Sequence, residues 1–128
     1  MQKKSILVVD DEEMLRKFLS VALIKLGHVV LTAENGEAAV KLCAEPGRGI
    51  DLALVDLVMP GLSGPETIAQ MHSHRPNLPA ILSSGGTEGD IARICKESGA
   101  VGYLIKPYRI NQLVEVIEAA LEKGKAAR

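Results

Sequence analysis

The sequence is nearly without aromatic residues: no Trp, one Phe and two Tyr among 128 residues. That excludes an aromatic platform on which single-stranded bases could stack. It has only two cysteines, Cys43 and Cys95, in separate helical-looking segments with no CxxC pair. They read as small core residues in a reducing, cytoplasmic compartment. No apolar run approaches the roughly 18–20 residues of a membrane span. The opening MQKKSILVVDDEE has lysines and a short apolar run, but acids follow at once, so it reads as a strand and not as a signal peptide. Neither sign of charge dominates: 15 Lys and Arg face 16 Asp and Glu, for a net charge of -1. There is thus no electrostatic footprint for nucleic acid or an anionic membrane. Internal repeats, low-complexity tracts and linkers are missing too. What remains is one domain, long enough to bury a core.

Short apolar runs alternate with helical patterns. Ser5–Val9 (SILVV), His28–Leu31, Leu52–Val55, Ala80–Ser83 and Val101–Ile105 read as strands. Between them, Met14, Leu15, Phe18, Leu19, Ala22, Leu23 and Leu26 recur at helical spacing up to Gly27. Asn35-Gly36 is a turn before a helix over Glu37–Ala44, and EPGRG is a loop. Pro65–His74 is a helix with Pro in its first turn, and Glu88–Ser98 is a helix stopped by Gly99. Ile110, Leu113, Val114, Ile117, Ala120 and Leu121 line a last helix before a polar tail. Five continuous apolar strands alternating with five helices predict an α/β fold, with a parallel sheet covered on both faces. Right-handed crossovers make it doubly wound and flavodoxin-like. Strand order 2-1-3-4-5 is the commonest for this pattern, although periodicity alone does not fix it.

The stretch LALVDLVMPG places a lone carboxylate, Asp56, at the end of a buried-looking strand, where desolvating it is costly. The other strands supply its company. Strand 1 ends in Asp10-Asp11, strand 4 in Ser83-Ser84 and strand 5 in Lys106-Pro107. In a parallel sheet these ends share one edge, so three carboxylates, a hydroxyl and an ammonium meet in one crevice. Three close carboxylates raise one another's pKa unless a cation intervenes. Mg2+ suits such a site, because it takes one or two carboxylates plus a phosphate oxygen and keeps several waters. Asp56 then reads as a nucleophile for phosphoryl transfer, with Lys106 and Ser84 holding phosphoryl oxygens. Singly each residue has an ordinary explanation: the acids of DDEE as helix caps, Asp56 as a turn residue, Ser83-Ser84-Gly85-Gly86 as a loop, Lys106 as a surface lysine. The agreement of four strand ends carries the weight. His28, His72 and His74 are not clustered with the acids, and His72 and His74 do not share a helix face.

ILVVDDEEMLR, AENGEAA, LALVDLVMPGLSGPE, PAILSSGG and GYLIKPY together resemble the receiver domain of bacterial two-component response regulators, over essentially the whole chain. The resemblance implies the 2-1-3-4-5 order, a receiver over residues 1–124 and a frayed tail at 125–128. It implies Asp56 as phosphoacceptor, with the phosphoryl group coming from a histidine kinase or a histidine phosphotransfer protein. Asp11 and Asp56 would bind Mg2+ directly, Asp10 through water, and the Val58 backbone carbonyl would add a ligand. Ser84 would be the switch hydroxyl, Lys106 the phosphoryl-binding lysine and Tyr103 the switch aromatic, with a cis peptide between Lys106 and Pro107. The face of helix 4, strand 5 and helix 5 would change shape and carry a partner or homodimer contact. There are departures: Ser84 stands where Thr is commoner, Gly85-Gly86 follow it, Tyr108 takes a place often held by Phe, and the EPGRG loop is slightly long. Ser83 is the rival switch hydroxyl, since strand alternation lets only one of the pair face the crevice; the spacing favours Ser84.

Three other functions fit these residues less well. A carboxylate-nucleophile phosphatase usually carries a DxD pair after its first strand, where this chain has DDEE. A flavin-phosphate binder needs Ser, Thr and Gly there, and four acids would repel the phosphate. A degenerate receiver that only docks would not need the full set of acids, hydroxyl and lysine. The expectation is therefore a signalling phosphoacceptor and not an enzyme with a separate substrate, without direct nucleic-acid binding or a membrane segment.

Overall fold

The computed structural model describes residues 3–126, with side chains as far as Lys123. Its elements alternate without exception: β1 Ser5–Val9, α1 Glu13–Lys25, β2 Val29–Ala33, α2 Gly36–Ala44, β3 Leu52–Asp56, α3 Gly64–His74, β4 Ala80–Ser84, α4 Glu88–Ser98, β5 Gly102–Ile105 and α5 Ile110–Ala126. The five strands form one sheet in the order β2-β1-β3-β4-β5, all pairs parallel. The expected tail at 125–128 lies partly in α5, and residues 127 and 128 lie outside the described residues.

The period of two along each strand divides the core between the two faces. Ile6, Val8, Leu52, Leu54 and Ile81 pack with Leu19 and Leu23 of α1 and with Leu113 and Ile117 of α5. Leu7, Val9, Ala53, Val55 and Leu82 pack with Ala39 and Cys43 of α2, Ile68 and Met71 of α3, and Ile91 and Cys95 of α4. Both cysteines are thus buried core residues with free thiols. The central strands β3 and β4 are buried throughout, whereas edge strand β2 is partly open. Burying a side chain such as Leu or Ile stabilises by about 1.5–3 kcal/mol, so these two layers supply most of the driving force.

Polar caps set where the helices begin, and hence where the strand ends stop. Asn35 Oδ1 accepts from the Ala38 N–H at 2.8 Å. Ser63 and Glu66 form a reciprocal capping box on α3, with Pro65 in its first turn. Thr87 caps α4, which stops at Gly99 with φ +81°.

Two details differ from the sequence reading. β2 starts at Val29 and runs to Ala33, because His28 is buried in the turn, where its Nδ1 accepts from the Lys4 N–H at 3.1 Å. On α1 the apolar residues serve two faces. Leu19 and Leu23 are buried, while Met14 is 81% exposed and Phe18 53% exposed. A single stripe at positions 15, 19 and 23 suffices to seat α1 on the sheet, and Met14 and Phe18 lie to one side of it.

Candidate functional site

The parallel sheet delivers all strand ends to one edge. Beyond β3, the Leu57 N–H donates to the Ser83 carbonyl at 2.8 Å, which extends the β3–β4 pairing past Asp56 and fixes that residue. Beyond β5, the Lys106 N–H donates to the Ser84 carbonyl at 2.7 Å and brings Lys106 alongside. The Asp10 N–H donates to the Ala33 carbonyl at 3.2 Å, and Arg16 Nη1 donates to the Asp10 carbonyl at 2.7 Å. Asp10, Asp56 and Lys106 are therefore each held by a neighbouring strand or helix.

Asp10, Asp11 and Asp56 each offer a carboxylate oxygen, and these oxygens lie within 4.8 Å of one another. Asp10 and Asp56 are buried and Asp11 is exposed. Lys106 Nζ stands 3.2 Å from Asp10 Oδ2, 3.2 Å from Asp56 Oδ1 and 3.8 Å from Glu12 Oε1. Asp10 Oδ1 also accepts from the Glu12 N–H at 2.9 Å. Burial and the Asp10 charge push the Asp56 carboxyl up to about 6, against the pull of Lys106. Burial works to lower the Lys106 ammonium, but the charges of Asp10 and Asp56 outweigh it and hold the group above its ordinary range. One ammonium does not neutralise three carboxylates. The donor set is all oxygen, on short side chains around one point, which fits a hard divalent cation such as Mg2+.

The remaining residues singled out in the sequence lie around this centre. Ser83 pairs with Asp56 in register and shares its face of the sheet, whereas Ser84 ends β4 on the other face. Both side chains are buried, and Ser84 Oγ accepts from the Gly86 N–H at 3.0 Å. The Tyr103 hydroxyl points away from the acids and donates to Glu88 Oε1 at 3.4 Å. Val58 lies two residues past Asp56, 75% exposed. The Lys106–Pro107 peptide is cis. The three histidines take no part in the acidic cluster, and His72 Nε2 lies 2.8 Å from the Leu78 carbonyl oxygen.

The sequence reading missed three residues near the site. Arg16 fixes the Asp10 backbone, and Glu12 adds a fourth carboxylate at the rim. The Tyr108 hydroxyl is buried with no hydrogen-bond partner among the described residues, and burial together with the charges of Asp10 and Asp56 raises its pKa. The only advance signal was Tyr108 standing where the resembling family often has Phe.

A family model described as the response regulator receiver domain matches residues 6–118. The chain belongs to the receiver family. The receiver is 38% identical over 124 residues to the DNA-binding transcriptional regulator NtrC of Azospirillum brasilense, a match that covers 97% of this chain and 25% of that one. It is 31% identical to the sensor kinase CckA of Brucella abortus, over 93% of this chain and 13% of that one. The chain thus spans a quarter or less of the length of these relatives. Among solved structures, a receiver domain protein from Clostridium thermocellum superposes with a TM-score of 0.88 at 29% identity, covering 98% of this chain and 99% of that one. FixJ-N superposes with a TM-score of 0.82 at 31% identity, covering 95% and 96%. The acidic triad of this receiver is consistent with the metal site typical of the family. No helix among the described residues is long and apolar enough to cross a membrane.

Proposed function

We propose that this receiver accepts a phosphoryl group on Asp56 from a phosphohistidine of a histidine kinase or histidine phosphotransfer protein. The observation that supports this most is the position of Asp56: buried at the end of β3, 3.2 Å from Lys106 Nζ and within one cluster with Asp10 and Asp11. A carboxylate oxygen of Asp56 attacks phosphorus, the P–N bond breaks, and the imidazole leaves with the bonding pair and takes up a proton. The product is an acyl phosphate. Lys106 meets the charge on the phosphoryl oxygens, and the Asp10 side chain holds Lys106 from the other side. Asp11 and Asp56, Asp10 through water, and the Val58 carbonyl would hold Mg2+, which when bound neutralises charge on the transferring group. The domain assists its own phosphorylation and dephosphorylation and has no separate substrate.

Access supports a protein donor. Met14, Phe18 and Val21 leave an apolar stripe exposed on α1. Phe18 also lines a cleft with Glu12, Leu15, Lys106, Pro107 and Tyr108, directly at the rim of the acidic pocket. A helix of the donor that lies along this stripe brings its phosphohistidine over Asp56.

The response is read through Ser84 and Tyr103. A phosphoryl oxygen on Asp56 draws in the Ser84 hydroxyl, which leaves the Gly86 amide, and Tyr103 releases Glu88 and turns inward. The surface of α4, β5 and α5 changes and engages a partner or a second copy. Site coupling of about 1–3 kcal/mol suffices. Incubation with acetyl phosphate and Mg2+ should add one phosphoryl mass, absent in Asp56→Asn and in EDTA; equal labelling of Asp56→Asn would overturn the assignment. With beryllofluoride, NMR shifts should reach Tyr103 and α4 in the wild type and stop at the pocket in Ser84→Ala. Loss of those shifts in Ser83→Ala instead would transfer the role to Ser83.

A further inference from the structure

Resting on the receiver reading, we propose that Glu37, on the first turn of α2, is a positioning residue for the loop that follows the phosphoacceptor. The loop, residues 57–63, leaves Asp56 and carries Val58. Its base is closed by the Gly64 N–H donating to the Leu57 carbonyl at 2.9 Å. Its exit is held by the capping box of Ser63 and Glu66. Between these anchors, the Leu62 N–H donates to Glu37 Oε1 at 3.0 Å, across 25 positions of chain.

The contact is shaped from both sides. Gly61 has φ +80°, a conformation that favours glycine, and a Cβ added there would stand 2.8 Å from Glu37 Oε1 and 3.2 Å from Oε2. The carboxylate therefore lies directly over the glycine. On the other side, the α2 N-terminus is locked by the Asn35 cap, and a Cβ on Gly36 would meet Leu62 Cβ at 2.8 Å and the Thr67 side chain closer still. Glu37 thus projects from a fixed base. It has no cationic partner among the described residues, so its carboxylate serves the loop amide. Without it, the loop between Leu57 and Ser63 has Pro60 for stiffness and, among the described residues, no other side chain holding the Leu62 amide. The consequence falls on the Val58 carbonyl and on how well a divalent cation is gripped, with every proposed ligand left in place.

The test uses the full chain with Glu37→Ala, Glu37→Gln and Gly61→Ala. Glutamine keeps the Oε1 acceptor and loses only the charge. Mg2+ affinity is read from NMR shifts of the strand-end amides, and acetyl phosphate labelling is run at low and at saturating Mg2+. Glu37→Ala should weaken Mg2+ binding by about three- to tenfold, the scale of one hydrogen bond. Its labelling should be slow at low Mg2+ and near normal at saturation, and Glu37→Gln should recover within about twofold. In metal-free protein, hydrogen exchange of the Leu62 amide should quicken in Glu37→Ala and not in Glu37→Gln. Gly61→Ala should weaken Mg2+ binding as well, because its Cβ crowds the Glu37 carboxylate and alanine disfavours the φ of +80°. Wild-type Mg2+ affinity in Glu37→Ala, or failure of Glu37→Gln as complete as that of Glu37→Ala, would overturn the proposal. If the wild type itself bound no Mg2+, the receiver reading would have failed. Leu62 exchange would then decide the tether alone, and an unchanged rate in Glu37→Ala would reject it.

Discussion

Lys106 Nζ stands 3.2 Å from Asp56 Oδ1 although 50 positions of sequence separate the two residues. The same ammonium stands 3.2 Å from Asp10 Oδ2 and so bridges two buried carboxylates. Replacing it with an apolar side chain leaves both without their cation. Lys106→Met should destabilise the metal-free protein by about 3 kcal/mol or more at neutral pH. Because a competing positive charge is gone, the same variant should bind Mg2+ more tightly, and saturating Mg2+ should restore most of the stability. Urea unfolding with EDTA and with Mg2+, together with Mg2+ titration, checks both halves.

The acidic pocket makes a signed pH prediction. The Asp56 carboxyl moves from an ordinary value of 3.8 up to about 6 in the folded protein, through burial and then the Asp10 charge. Between those values the folded state keeps a proton that the unfolded state has lost. The Asp56 contribution to stability therefore falls as pH rises from about 4 to about 6 and stays low above that. Asp56→Asn has no such proton to lose. Without metal, its stability advantage over the wild type should open across this window and persist at neutral pH, and Mg2+ should narrow it. Denaturation midpoints at pH 4 and pH 7 provide the measurement.

The Tyr108 hydroxyl is buried without a hydrogen-bond partner among the described residues. Such a group carries the desolvation cost of a lost hydrogen bond, about 1–3 kcal/mol. Tyr108→Phe keeps the ring against the α1–α5 side of the core and removes only that oxygen. The variant should be more stable, by about 1 kcal/mol, with a higher thermal midpoint in calorimetry.

Gly64 lies where the chain turns back on the end of β3. A Cβ there would stand 2.7 Å from the Asp56 carbonyl oxygen and 2.9 Å from Leu57 Cα, both backbone atoms that cannot yield. Gly64→Ala should cost about 1–3 kcal/mol and slow labelling of Asp56. Gly49→Ala, where nothing lies within 4 Å, should change stability by no more than about 0.5 kcal/mol. Parallel urea melts compare the two.

The strands and most helix starts were legible because their signals are local. Buried parallel strands are written as continuous apolar runs, as in Leu52–Val55, and the caps Asn35, Ser63 and Thr87 precede their helices directly. Asp10, Asp11, Asp56 and Lys106 could be brought together on paper because every parallel strand ends at the same edge. Contacts that cross the chain left no such mark. His28 looked like strand until the Lys4 amide claimed its ring nitrogen. Met14 and Phe18 fit the helical period as well as Leu19 and Leu23, and only the seat of α1 on the sheet separates them. Nothing beside Glu37 or Arg16 in sequence announces a loop amide or a carbonyl as partner. The orientations of Ser84 and Tyr103 depend on loop geometry that strand spacing does not determine.

The crossing connections that bring four strand ends to one edge also govern when the pocket can exist during synthesis. Asp10 is made early, and its cation partner Lys106 follows 96 residues later. A nascent chain that has released β1 to β4 from the ribosome holds its acids without the ammonium that pairs them. It gains that partner only when β5 docks against β4, near the end of the domain. On the proposed function, competence to receive a phosphoryl group would arrive in one late step, and a ribosome-stalled chain lacking β5 should be inert to acetyl phosphate even with its first four strands free to pair.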